Sequence, residues 1–176
     1  GDGQPVPQLN RYAMGNCWFV DNVEIVENAN EESNALNHID LKTTAVTDKK
    51  FASFVENKST TPDPTAEIVL TKYAPNALEY KSKSNVAKTA VFSDIYYPYG
   101  WKAFIDEQPV DHFRVNYVLR ALNIPEGEHN IRFVFEPDAI YKGQILSIIC
   151  LVIIFLTIVF CIVNPIIKSK GKKVSV

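Results

Sequence analysis

Apolar and polar residues alternate along many short segments of the chain, and the clearest alternation covers residues 130–136. There Ile131, Phe133 and Phe135 fall on one face of an extended strand, with Arg132 on the other. Nine segments in all are rich in β-branched and aromatic residues and are candidate strands: 17–26, 43–47, 66–73, 77–82, 87–97, 101–105, 110–115, 117–124 and 130–136. Short strands at this spacing predict a mainly β fold, a β-sandwich of jelly-roll or immunoglobulin-like type.

A different spacing in the first third predicts one or two short helices. Asn30 is a candidate N-cap for a helix whose apolar face carries Ala35, Leu36 and Ile39. Asp48 is a candidate cap for a further helical turn. The polar segment 57–64 is the clearest loop, and it divides a strand-and-helix portion, residues 1–64, from a β-sandwich portion, residues 65–138.

The longest apolar run of the chain, residues 145–163, has only two polar members, Ser147 and Thr157. Nineteen helical residues span roughly 29 Å, close to the hydrocarbon thickness of a bilayer. We therefore predict a transmembrane helix within 139–167, with a core helix as the alternative.

Charge predicts the orientation of that helix. The tail, residues 168–176, holds four lysines and no acid, and short lysine-rich flanks stay in the cytoplasm. Residues 1–140 would then be extracytoplasmic. Because the chain starts without Met or a signal-like segment, we expect it to be the last part of a longer membrane protein.

Composition excludes several classes of protein. Residues 1–144 contain all 20 acidic residues and 14 of the 18 Lys and Arg, so they carry a net charge of −6. That balance argues against a nucleic-acid binder, and the apolar content argues against a disordered chain. The sequence lacks CxxC, HExxH and phosphate-loop motifs, so we predict no metal, no cofactor and no catalytic residue in this chain.

Six segments together resemble the C-terminal region of the YfhO family of bacterial multi-spanning membrane proteins. They are Leu9-Asn10-Arg11-Tyr12-Ala13-Met14-Gly15-Asn16-Cys17-Trp18-Phe19-Val20, the acidic helix 31–37, Tyr97-Pro98-Tyr99-Gly100-Trp101-Lys102-Ala103, Arg114-Val115-Asn116, Leu119-Arg120-Ala121 and Ile124-Pro125-Glu126-Gly127-Glu128-His129. One departure is the hairpin Asp106-Glu107, where the family usually has Asp-Gly, and it leaves the turn type open.

The resemblance implies a function for the parent protein rather than for this chain alone. Members of the family are classed as glycosyltransferases that use polyprenyl-phosphate sugars, with catalytic carboxylates in loops between earlier membrane spans. The chain would then be a non-catalytic domain plus the last span, with the bilayer, the remaining spans and an envelope glycan or lipid-linked sugar as partners. The alternatives are a membrane-anchored carbohydrate-binding or adhesion module and a purely structural domain.

Aromatic residues supply the first candidate site. Tyr97, Tyr99 and Trp101 would share one face of a strand, where rings can stack on the C–H faces of sugars. Packing in the core of the sandwich is the favoured alternative, and Gly100 would interrupt the shared face.

Polar residues in apolar strands supply the second candidate site. Arg114 and Asn116 alternate with Val115 and would share a face with His112, and Arg120 follows in the next strand. A guanidinium group there could hold a phosphate or carboxylate through two hydrogen bonds. The favoured alternative is a solvent-facing residue or an ion pair with Asp94, Asp106 or Asp111.

Overall fold

The computed structural model describes residues 10, 13–55 and 61–172, and side chains up to Asn164 except Tyr141. Parts of the predicted portion 1–64, of its loop 57–64 and of the basic tail 168–176 therefore lie outside the described residues. The chain divides into two compact units, Gly1–Glu136 and Pro137–Val176, which are described separately.

The first unit is mainly β-structure. In chain order its elements are β1 (Cys17–Val20), β2 (Asn22–Val26), α1 (Ala29–Ala35), β3 (Thr44–Asp48), a 3-10 turn (Lys49–Phe51), α2 (Ala52–Val55), β4 (Glu67–Ala74), β5 (Ala77–Ser84), β6 (Lys88–Ile95), β7 (Trp101–Ile105), β8 (Gln108–Val110), β9 (Phe113–Val115), β10 (Leu119–Ile124) and β11 (Gly127–Phe135). The predicted β-rich class with short helices is confirmed.

Two antiparallel sheets form the sandwich. The first has the strand order β1-β6-β10-β9, and the second has the order β4-β5-β11-β7-β8. Alternate residues of both sheets meet in one apolar core, with Phe92 and Leu122 from the first sheet against Tyr80 and Phe133 from the second. The rings of Tyr80, Phe92 and Phe133 contact one another edge to face, with centroids 4.8–6.1 Å apart. This is the geometry that aromatic quadrupoles favour.

A further layer covers the outer face of the first sheet. The parallel pair β2–β3, together with α1, α2 and the 3-10 turn, forms this cover layer. Val91 and Phe113 of the sheet are fully buried beneath it, in contact with partly buried Phe51 and Phe54. The ring of Phe54 stacks on that of Phe113 at 5.0 Å. The first sheet is therefore buried on both faces, which explains why β6 reads as a continuous apolar run at Ala90–Phe92.

The structure moves several predicted boundaries. The predicted strand 17–26 is two strands, because the chain turns at Asp21 and passes from the first sheet into the cover layer. The cap of α1 is Asn28 rather than Asn30, and its side chain accepts hydrogen bonds from two backbone N–H groups of the first turn. Asp48 caps the 3-10 turn as predicted. The predicted strands 87–97 and 117–124 are shorter, ending at Ile95 and starting at Leu119.

The second unit contains one long helix, α3 (Asp138–Lys172). Its stretch Asp138–Asn164 is the one helix among the described residues that is long and apolar enough to cross a membrane. Thr157, one of the two polar residues in the run, donates its hydroxyl to the carbonyl oxygens of Ile153 and Ile154, at 2.6 and 3.0 Å. These contacts give the hydroxyl group hydrogen-bond partners within the helix itself.

The β7–β8 hairpin resolves the turn type that the sequence left open. Asp106 and Glu107 form a two-residue loop, and both have positive φ, 48° and 64°. Positive φ at both central positions is the property of a type I′ turn, which matches the twist of the flanking strands. Asp106 accepts a hydrogen bond from the backbone N–H of Asn130 and pairs with His129 at 2.7 Å, and these contacts hold the turn against β11.

Residue 107 offers a test of this turn. Glu107→Gly and Glu107→Ala both remove the exposed ion pair with Arg132, but only glycine adopts a left-handed conformation without steric strain. We expect the glycine variant to be more stable to urea than the alanine variant by about 1 kcal/mol. Equal stabilities, or a more stable alanine variant, would show that residue 107 is not left-handed.

Candidate functional site

The seven residues predicted as a site do not form one cluster. The structure places them in four environments: a cleft (Trp101 and His112), the intersheet core (Arg120), the contact between the first sheet and the cover layer (Arg114 and Asn116), and an exposed loop (Tyr97 and Tyr99). Each environment permits different chemistry.

The cleft has a volume of about 470 Å³ and lies where the cover layer, the first sheet and the second sheet meet. Phe54 comes from α2, Tyr96 from the loop after β6, and Trp101 from the start of β7. His112, between β8 and β9, completes the wall, and Asp111 lies beside it. Aromatic rings and a few polar groups at the edge of a β-sheet make a concave surface of the kind that binds small polar molecules.

His112 is the most distinctive group of this cleft. Its ring lies edge-on to Tyr96 at 5.3 Å and to Phe133 at 5.9 Å, and its Nε2 is buried without a hydrogen-bond partner in the described part of the chain. Burial, and then the positive charge of Arg120, lower the pKa of His112 to about 4. The imidazole is therefore neutral at pH 7. Because the folded pKa lies below the ordinary value of about 6.5, protonation destabilises the fold as the pH falls through this range.

Arg120 lies inside the sandwich rather than at a binding surface. Only 1% of the residue is exposed, and its guanidinium group is sandwiched between the rings of Trp101 and Phe133, 4.5 Å from each centroid. Nη2 donates to the carbonyl oxygen of Ile95 at 3.3 Å, while Nε and Nη1 have no hydrogen-bond partner within the described ranges. Burial lowers the pKa of Arg120, and the charge of Asp94 opposes that shift. The predicted role of Arg120 as a ligand contact would require the core to open.

Arg114 has a protein partner, although not one of the three acids considered from the sequence. Its Nη2 donates to the carboxylate of Glu32 in α1 at 2.5 Å, and Asp48 lies 3.7 Å away. Glu32 is fully buried, and its other oxygen accepts from the backbone N–H of Tyr117 at 2.9 Å. Two charge-assisted hydrogen bonds thus satisfy a carboxylate that would otherwise be costly to bury.

Glu32 is a site residue that the sequence analysis does not single out. It falls in the acidic helix 31–37, and carboxylates are common near the start of a helix. Yet it lies three and four residues before Ala35 and Leu36, on the apolar face of α1. An acid on the apolar face of a helix was the available signal for a buried partner.

Asn116 joins the first sheet to the cover layer through the backbone. Its side-chain oxygen accepts from the N–H of Val46 at 2.9 Å, and its own N–H donates to the carbonyl oxygen of Val46 at 2.7 Å. Asn116 and Tyr117 both have positive φ, so β9 ends at Val115 and the alternation that would place Arg114 and Asn116 on one face is interrupted. Asn116 is buried, and its two hydrogen bonds to Val46 hold β3 against the first sheet.

Tyr97 and Tyr99 lie in the loop between β6 and β7 and do not belong to a strand. The core packing that we favoured for them is wrong, because 48% and 77% of these residues are exposed. Their rings meet at 71° with centroids 5.6 Å apart. The crossed pair therefore offers no continuous flat surface of the kind that a shared strand face would give. Gly100 is buried, and a Cβ there would overlap the ring of Phe135.

The described residues contain no group of three or more His, Cys, Asp or Glu side chains placed to hold a metal ion. The cleft is therefore a site defined by aromatic rings and by the neutral imidazole of His112.

The architecture defines a class: a β-sandwich with a cover layer, followed by a helix apolar enough to cross a membrane. The sequence model of the family described as bacterial membrane protein YfhO matches residues 26–147, more than half of the chain. The chain therefore belongs to the YfhO family, and the resemblance noted from the sequence is confirmed. Neither the curated proteins nor the solved structures contain a match to it.

The buried pair Glu32–Arg114 generates a stability prediction. Arg114→Met leaves the carboxylate of Glu32 buried without its cation, and we expect a loss of about 3 kcal/mol in the free energy of unfolding. The matched control is Lys83→Met, which breaks a pair with Glu128 of similar length but with both side chains exposed. That change should cost less than about 1 kcal/mol.

Urea unfolding of the full chain in detergent, followed by tryptophan fluorescence, measures both variants. The double variant Glu32→Gln with Arg114→Met should recover part of the loss, because it removes the unpaired charge. Similar losses for Arg114→Met and Lys83→Met would contradict the assignment of a buried ion pair.

Proposed function

We propose that this chain is the non-catalytic, extracytoplasmic C-terminal domain and last membrane span of a membrane glycosyltransferase that uses a polyprenyl-phosphate sugar. In this proposal the cleft formed by Tyr96, Trp101 and His112 positions the glycan or its acceptor for chemistry carried out elsewhere in the parent protein. Membership of the YfhO family supports the membrane context. The transferase activity itself is an inference from the resemblance of the family to such enzymes.

The proposed orientation of the chain in the membrane rests on the lysines that follow the apolar run of α3. The four lysines after the apolar run of α3 favour a cytoplasmic tail, which puts the sandwich on the outer side of the membrane. An envelope sugar carried on a polyprenyl phosphate would be met on that side.

The single observation that carries the sugar-positioning role is the aromatic cleft, with the neutral imidazole of His112 in its wall. A neutral histidine can donate or accept a hydrogen bond, and sugars present many hydroxyl groups beside apolar C–H faces. Trp101 and Tyr96 would contact those faces, and the imidazole of His112 lies in the same wall of the cleft.

Thermal unfolding in the presence of sugars tests this role. Glucose, galactose and N-acetylglucosamine would be titrated into the full chain held in lipid nanodiscs. A sugar present at ten times its dissociation constant adds about 1.4 kcal/mol of stability, so the unfolding temperature should rise by a few degrees. His112→Phe should abolish the rise, because it keeps the ring contacts with Tyr96 and Phe133 and removes the nitrogen.

The control for this experiment is His38→Phe, since His38 is an exposed residue outside the cleft. That variant should keep the full sugar-dependent rise. If no sugar stabilises the unsubstituted chain, sugar positioning is refuted and the domain is left with a structural role. If His112→Phe and the control respond alike, the cleft is not the binding site.

A further inference from the structure

Six exposed side chains mark one end of the sandwich, and we call this group the aromatic tip. Its members lie on three separate segments: the end of β4, the end of β6 with the loop that follows it, and the turn before β10. They are Tyr73, Ile95, Tyr97, Tyr99, Tyr117 and Val118.

Strand register brings these segments to the same end. Tyr73 is opposite Leu78, which is opposite Phe133 near the end of β11. In the other sheet Ile95 is opposite Leu119, at the start of β10. The two loops of that sheet are joined directly, because the N–H of Tyr96 donates to the carbonyl oxygen of Val118 at 2.8 Å. The loop after β6 also meets the end of β11, because the N–H of Glu136 donates to the carbonyl oxygen of Gly100 at 2.7 Å. The aromatic tip is therefore the end of the sandwich at which β11 finishes.

The distribution of exposed apolar surface is strongly uneven. Among the described residues up to Glu136, eight large apolar or aromatic side chains are exposed, and six of them belong to the aromatic tip. The other two are Ile25 in β2 and Val69 in β4. Tyr73, Ile95 and Tyr99 are each more than 70% exposed. A soluble surface rarely concentrates apolar side chains in this way, and such a patch indicates an interaction surface.

Chain continuity indicates what this surface meets. Only Glu136 and Pro137 separate β11 from α3, and the three peptide steps from Phe135 to Asp138 span at most about 11 Å. The 27 residues Asp138–Asn164 extend about 40 Å as a helix, close to the thickness of a bilayer with its headgroups. When α3 spans a membrane, Asp138 lies near the outer headgroups, and the end of β11 is held within about 11 Å of it.

We propose that the aromatic tip inserts into the headgroup region of the lipid bilayer and gives the sandwich a membrane contact of its own. Tyrosine suits this region because its ring is apolar and its hydroxyl can remain hydrated, and aromatic residues are enriched at membrane interfaces. Four of the six side chains are tyrosines, and Ile95 and Val118 add apolar area. The proposal rests on the proposed function only in requiring that α3 spans the bilayer.

The same surface fits a glycan less well. The rings of Tyr97 and Tyr99 are crossed, and none of the six side chains lines the cleft. Exposed apolar side chains outside a cleft gain more from partition into an interface, where burial of apolar area contributes about 25 cal/mol per Å².

Spin-label depth measurements on the full chain in phosphatidylethanolamine–phosphatidylglycerol vesicles test the proposal. Labels would be placed singly through Tyr99→Cys and Tyr117→Cys in the aromatic tip, and through Val69→Cys as an exposed control elsewhere on the sandwich, with Cys17, Cys150 and Cys161 replaced by serine. A fourth chain keeps Cys150 alone, which places a label within the apolar run of α3. Collision rates with oxygen, which concentrates in lipid, and with a water-soluble nickel chelate give the depth of each label.

We expect the labels at positions 99 and 117 to show an oxygen-to-nickel collision ratio severalfold higher than position 69, with Cys150 deeper still. A deep Cys150 with ratios at 99 and 117 equal to that at 69 would overturn lipid contact while leaving α3 as a membrane span. Shielding of 99 and 117 from both reagents would also overturn it, in favour of a protein partner. A water-exposed Cys150 would refute the membrane span itself, and with it both proposals.

Discussion

The structure depends on the burial of the first sheet, β1-β6-β10-β9, on both faces. In β6, Ala90 and Phe92 enter the intersheet core, while Val91 between them is fully buried beneath the cover layer. Each fully buried Val or Phe contributes about 1.5–3 kcal/mol relative to an exposed one. Removal of either covering layer would therefore expose a face that the sheet cannot present to water, so the cover layer is an integral part of the fold.

Ion pairs also join the first sheet to the side that the cover layer protects. Two carboxylates of the cover side, Asp21 and Glu32, meet the buried or nearly buried cations Lys88 and Arg114 of the first sheet. Such pairs add little net stability over apolar packing, but they strongly penalise any arrangement that separates the partners. They therefore fix how the cover layer sits on the sheet. That placement brings Phe54 to the edge of the cleft, so the proposed binding surface requires the same alignment.

The strands and the long helix could be predicted from the sequence because their signals are local. The alternation in β11, the turn residues Asp106-Glu107 and the apolar run of α3 each act within about twenty residues. The pairing of Glu32 with Arg114 joins positions 82 residues apart, and no local pattern specifies such a contact. The break at Asp21 was missed for a related reason, because β1 and β2 have similar composition but pair with different strands.

The candidate site was predicted less well than the fold. Residue type indicated that Tyr97, Tyr99, Trp101, His112, Arg114, Asn116 and Arg120 were unusual, and the structure gives each a specific environment. Composition alone could not separate a guanidinium group in the core from one at a surface, because exposure is decided by distant strands. The cleft combines one continuous segment, Tyr96 to His112, with Phe54 from the cover layer, and no local pattern predicts that contact.

Native-state hydrogen exchange tests the central claim that the sandwich and its cover layer are one cooperative unit. The amides to compare are Val91 in β6 and Val46 in β3, whose N–H donates to Asn116. If the cover layer is integral, both should exchange with the same opening free energy and the same dependence on urea, as expected for global unfolding. Exchange of Val46 at a much lower free energy, with little urea dependence, would show that the cover layer unfolds separately and would contradict this account.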